Sequence, residues 1–291
     1  MEIFSSLSKP TRAGFNFSAT IIIYVLVAFV VQTFASLFDN ALIFAIISSL
    51  SAPIAMSLVL VLNCKILKKP FLKTCGVTNF DKTYIIHAIL LFIGMFFGLG
   101  FLNILISDLA IDWGVKIPFS SIPMNNVLEY LLMVFFLALV PAVFEECLFR
   151  GLIFGELSED NIIVSCLMTG LVFALYHGSV VQLIYQFIYG VMLCLLTYRA
   201  KSVIPSIITH FLNNFAVLTF TFFNIEIDFF RIIRIVVGVI VLVTFVIAMM
   251  KGNKKITKTN DQPKQQKGKF FLGALFGIIV CLALIISGLM V

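Results

Sequence analysis

The sequence predicts an all-α, polytopic transmembrane helix bundle, and three observations predict it. The first is composition. Of 291 residues, 61% are hydrophobic and 12% charged, with a mean hydropathy of +1.13, whereas soluble domains run about 45–50% apolar and about 25% charged. The second is run length, since the apolar residues come in stretches of the roughly 20 residues that span a bilayer as a helix. The third is charge placement, because lysine and arginine collect in a few of the connections between those stretches, as they do in cytoplasmic loops. A soluble core of this length could not hide so much apolar surface. The net charge of +6 belongs to this loop pattern and is no sign of nucleic-acid binding.

Nine stretches qualify in order: 17–38, 41–66, 84–106, 127–150, 161–177, 180–199, 203–223, 230–250 and 270–290. The fifth is short, so the count is eight to nine. The first is too long for the apolar core of a cleaved leader and reads as a span. Isoleucine, leucine, valine and phenylalanine with glycine interruptions make these stretches helices rather than barrel strands. The six cysteines fall mostly inside them, without a Cys-x-x-Cys pair, and read as small packing residues.

The connections give an orientation. Lys65, Lys68, Lys69, Lys73 and Lys82 surround the second connection, Arg199 and Lys201 separate the sixth and seventh spans, and residues 251–269 carry seven lysines against Asp261 alone. With nine spans and a cytoplasmic N-terminus, all three fall inside, while the lysine-poor stretches 107–126 and 224–229 fall outside. The 251–269 segment reads as a solvated cytoplasmic linker. The whole chain, 1–291, is expected to be one membrane domain in contact with lipid.

The fourth stretch contains PAVFEECLFR, residues 141–150. A charge at the centre of a spanning helix costs about 2.5–3.5 kcal/mol on insertion scales, so Glu145, Glu146 and Arg150 need partners or a use. Glu146 and Arg150 are spaced i,i+4 and can pair along one helix edge. Glu145 is turned about 100° from Glu146 and is free to face a different cavity. Pro141 removes a backbone hydrogen bond one turn before Glu145. Two of three histidines, His177 and His210, fall in later apolar stretches, with Phe173 a turn before the first and Asn214 a turn after the second. Intramembrane ionisable residues on three stretches point to a site. His87 reads as interfacial. Gln182, Tyr185, Gln186 and Tyr189 either line a cavity or bridge helices.

These residues resemble the CPBP family, the type II CAAX prenyl endopeptidases and bacteriocin-processing or immunity membrane proteins also called Abi. The pattern E-E-x-x-x-R appears as Glu145-Glu146-Cys-Leu-Phe-Arg150, F-x-x-x-H as Phe173 to His177, and H-x-x-x-N as His210 to Asn214. The motif-bearing part is about 127–223. The resemblance implies an intramembrane endopeptidase acting on a membrane-associated or lipidated peptide, and leaves substrate and oligomeric state open.

Amide hydrolysis needs an activated water, a stabilised oxyanion and a proton for the leaving amine. In a metal-free site Glu145 is the base, His177 helps hold the water, and His210 with Asn214 faces the oxyanion. Glu146, Arg150 and Phe173 support them. The rival is a zinc site with Glu145, His177 and His210 as ligands. It lacks an H-E-x-x-H helix and would make Glu146 the base despite its pairing, so no cofactor is favoured. A membrane scaffold and a proton-coupled transporter remain as other classes. His177 counts closer to the outer side than the other two residues, and the sequence offers tilt or a broken helix to reconcile them.

Overall fold

The computed structural model describes residues 2–113, 122–158, 161–225, 231–251 and 263–289, and every regular element among them is helical. Nine helices occupy the expected stretches: α1 Lys9–Ala35, α2 Ala41–Leu67, α3 Thr83–Asp112, α4 Val127–Leu157, α5 Ile162–Tyr176, α6 Val180–Ala200, α7 Ile204–Phe222, α8 Arg231–Lys251 and α9 Pro263–Leu289. Two short turns of helix, Glu2–Ser6 and Phe71–Thr74, lie beside them. Residues 252–262 of the expected polar linker lie outside the described residues, as do 114–121 and 226–229 of the two lysine-poor connections and residue 230.

Seven of these helices are long and apolar enough to cross a membrane, so this is a multi-pass membrane protein. The other two are α5 and α7. With 15 residues, α5 rises about 22 Å, short of a hydrocarbon core of about 30 Å. Helix α7 has 19 residues but carries His210, Asn213 and Asn214 on its apolar background. The count of nine spans therefore becomes seven, plus two helices that depart from span character where candidate site residues sit.

Local chemistry sets the helix ends. Helix α1 starts at Lys9, before the expected residue 17, because Ser8 caps it, accepting from the Thr11 N–H at 3.4 Å, with Pro10 in the first turn. Helix α2 breaks at Leu50, just before Pro53. In α4, π-helical segments at Val134–Leu139 and Cys147–Ile153 flank the α-helical turns Val140–Glu146. Pro141 has no N–H for the carbonyl four residues back. The ladder upstream widens accordingly, as π-bulges do at such gaps.

Close helix pairs hold the bundle together. Helix α1 packs along α9, α3 along α8, and α5 along α6. At Gly14 the backbone of Phe270 approaches so closely that any Cβ would overlap it, and Gly98 meets Gly238 in the same way, the close approach that small residues permit between membrane helices. Ser18 Oγ fastens the first pair by donating to the Gly273 carbonyl at 2.8 Å and accepting from the Gly277 N–H at 3.0 Å.

One end of the bundle is stitched by loops. Val203 N–H donates to the Gly76 carbonyl at 3.1 Å, and Ser202 Oγ donates to the Thr78 carbonyl at 2.9 Å. Nearby, the Glu156 carboxylate accepts from Arg12 at 2.5 Å and from Lys69 at 3.3 Å. This is the end to which the 65–82 lysines, Arg199, Lys201 and Lys251 belong.

Candidate active site

Helix α4 presents its charged residues where the π segments re-aim the chain. Glu146 and Arg150 are fully buried and paired at 2.8 Å across the i,i+4 spacing, as the sequence predicts. The Arg150 guanidinium lies 4.1 Å from the centre of the Phe173 ring and donates a second bond to the Gly190 carbonyl at 3.3 Å. Phe173 thus supports the arginine through its ring face.

A second partner of Glu146 was not legible. The oxygen that takes Arg150 also accepts from His210 Nδ1 at 2.9 Å. A carboxylate accepts, so Nδ1 is the donor of this bond and Nε2 is the ring nitrogen turned away from Glu146. That Nε2 stands 3.9 Å from Glu145 Oε2. The two adjacent glutamates therefore bracket one imidazole, although only Glu145 lines the cavity described next. His177 is set the same way, with Nδ1 at 2.8 Å from the Phe173 carbonyl and Nε2 left free.

Glu145, His177, His210 and Asn214 line one cavity of about 560 Å³. The apparent mismatch in depth of His177 disappears because α5 is short. It ends at Tyr176, and the chain turns through Gly178 at φ +61° before α6 begins, so His177 closes the helix at the cavity. Asn214 is oriented by neighbours. Tyr185 donates its hydroxyl to Asn213 Oδ1 at 2.8 Å, and Asn213 Nδ2 reaches Asn214 Oδ1 at 3.5 Å. Both amide N–H bonds of Asn214 stay available to the cavity.

Gln182, Tyr185, Gln186 and Tyr189 all line this cavity, and Tyr185 also bridges α6 to α7 through Asn213. Asn213 and Arg234 line it too and were missed. Asn213 could have been found as a second amide beside Asn214, and Arg234 as a charge in the first turns of an apolar helix. His87 is not among the lining residues; its Nδ1 lies 3.1 Å from the Thr83 carbonyl of its own helix. Five of the six cysteines are buried, and all are free.

Five described residues lining the cavity keep a buried polar atom without a protein partner: Asn103 Oδ1, Glu145 Oε2, Gln186 Oε1, the Tyr189 hydroxyl and Arg234 Nε. Buried polar atoms are normally paired, so this wall suits a polar guest. Among the described residues, no three histidine, cysteine, aspartate or glutamate side chains group so as to hold a metal ion. Glu145, His177 and His210 share the cavity without closing into a ligand set.

A family model described as Type II CAAX prenyl endopeptidase Rce1-like matches residues 127–216. The match begins with α4 and ends within α7, so it takes in all three motifs and leaves α1–α3, α8 and α9 outside it. Over those residues the chain is similar to that protease family. No curated protein and no solved structure matches the chain.

Proposed function

We propose that this protein is an intramembrane endopeptidase that hydrolyses a peptide bond of a membrane-associated or lipidated peptide. The observation that carries this reading is the convergence of Glu145, His177, His210 and Asn214 on one cavity, within the stretch that matches the protease family. Glu145 takes the proton of the attacking water, and His177 Nε2 helps hold that water. His210 Nε2, steadied through Nδ1 by Glu146, exchanges the proton with Glu145 and passes it to the leaving amine. Asn214 directs its amide N–H groups at the oxyanion. A zinc-dependent version would use the two free Nε2 atoms. No step here passes through a metal. A scaffold would have no need for the unpartnered polar wall. The test is quantitative proteomics of membranes from cells with and without Glu145→Gln, seeking a peptide whose cleavage stops. If no peptide differs while the wild-type protein is present in the membrane, the endopeptidase reading fails.

The oxyanion role predicts graded losses. Asn214→Ala removes a donor, and kcat is expected to fall about 10²–10³-fold, which is roughly 2.7–4 kcal/mol of barrier. Tyr185→Phe removes only the group that orients Asn213, so its effect should be smaller and confined to kcat. Equal losses in the two variants, measured on one peptide substrate, would contradict the relay.

The cavity also has a side. Its lining comes from the late turns of α3 and α7 and the first turns of α6 and α8, the ends farthest from the stitched, lysine-rich loops. By the positive-inside rule it opens away from the cytoplasm, with the N-terminus inside. Gln182→Cys, on the cavity wall, is expected to react with a membrane-impermeant maleimide in intact cells. Lys73→Cys should react only after permeabilisation. The reverse pattern would overturn this orientation and leave the chemistry untouched.

A further inference from the structure

Arg150 lines a second cavity, of about 430 Å³, at the stitched end of the bundle. It shares no lining residue with the first. Its cationic residues are Lys73, Arg150, Arg199 and Lys201, and no carboxylate is among its described lining residues. Tyr84 and Tyr198 add hydroxyl groups to the wall.

The guanidinium groups are only partly used by the protein. Arg150 is 1% exposed, and its Nε has no partner although both terminal nitrogens are engaged. Arg199 donates one bond to the Met250 carbonyl at 3.3 Å, and its buried Nε is likewise unpartnered. Two residues of this wall thus each keep a buried donor without an acceptor, and the cavity they line is ringed by positive charge, which asks for an anion with several acceptor oxygens. The rim is built, since the loop bonds of Gly76 and Thr78 to residues 201–203 fix the backbone that carries Lys201. Lys201 adopts φ +55° at the end of α6, which places it at the turn into α7. Phosphate fits this demand in charge and in oxygen count, and the lysine-rich end is where anionic lipid head groups gather.

We propose that this cavity binds a phosphate group, carried by an anionic phospholipid or free in solution, and that the bound phosphate bears on Arg150. Arg150 holds Glu146, and Glu146 holds His210, so occupancy on one face reaches the candidate active site on the other. The binding stands whatever reaction the first cavity performs; only its consequence for turnover rests on the endopeptidase reading.

The experiment uses the full chain, purified and delipidated in dodecyl maltoside, with thermal stability followed as ligand is added. Phosphatidylglycerol is expected to raise Tm saturably, while phosphatidylcholine does not. Inorganic phosphate is tested against sodium chloride at the same ionic strength. A shift with phosphate as well identifies the phosphate group alone as sufficient, and a shift only with phosphatidylglycerol assigns the site to lipid. In Lys73→Gln/Lys201→Gln, two exposed positions, the apparent Kd should weaken at least tenfold, and Lys73→Arg/Lys201→Arg should retain it. No shift with either ligand in the wild-type protein overturns the proposal, as does an unchanged Kd in the glutamine pair.

Discussion

Glu145→Gln is expected to fold, to reach the membrane, and to lose cleavage of any peptide the wild-type protein cuts. The substitution is nearly isosteric, and Glu145 Oε2 makes no bond to protein that glutamine would break. What it removes is the one carboxylate among the described residues lining the cavity, beside His210. A positioned base contributes about 10²–10⁴ in rate, so kcat should fall by at least that factor with KM little changed. The comparison also separates function classes. A scaffold would tolerate the change, and a proton-coupled transporter would lose flux without any peptide being spared. Metal content and activity before and after chelation complete the test. Stoichiometric zinc that leaves and returns together with activity would replace the glutamate mechanism.

Arg150→Ala is expected to be the most destabilising single change in the site. It leaves the Glu146 carboxyl at 0% exposure with His210 as its remaining partner, and removes the guanidinium from the Phe173 ring. Breaking a buried pair from one side costs about 3–5 kcal/mol. Removing both charges, as Glu146→Gln with Arg150→Met, should restore most of the stability, because the stranded charge is gone. Activity should not follow, since a glutamine cannot hold His210 Nδ1 as a carboxylate does. Thermal unfolding of the three proteins in one detergent, alongside peptide cleavage, reads both quantities. A double variant no more stable than Arg150→Ala alone would contradict the pairing.

The legible parts of this molecule were those where chemistry is conspicuous against its background. Charges inside an apolar stretch stand out, so Glu145, Glu146, Arg150, His177 and His210 could be singled out, and i,i+4 spacing gave the ion pair. Span positions followed from run length. Less legible was anything decided by contacts between distant stretches. That His210 shares the Arg150-bound oxygen of Glu146 depends on how α7 meets α4, which no local pattern encodes. The bond from Tyr185 to Asn213 likewise joins α6 to α7 with no local sequence signal. The π-helical widening of α4 had a sequence cause in Pro141, yet its form was not predictable from that residue. The depth of His177 follows from where a helix of 15 residues ends, which run length alone does not place.

The seam between α1 and α9 has a consequence for biogenesis. Ser18 and Gly273 bond across 255 positions of chain, and ribosomes add about 5–20 residues per second. For roughly 13–50 s, then, α1 resides in the bilayer with its notched face turned to acyl chains, while the helices that carry the chemistry are already emerging. An insertase that shelters α1 during that interval would be guarding the closing edge of the protein.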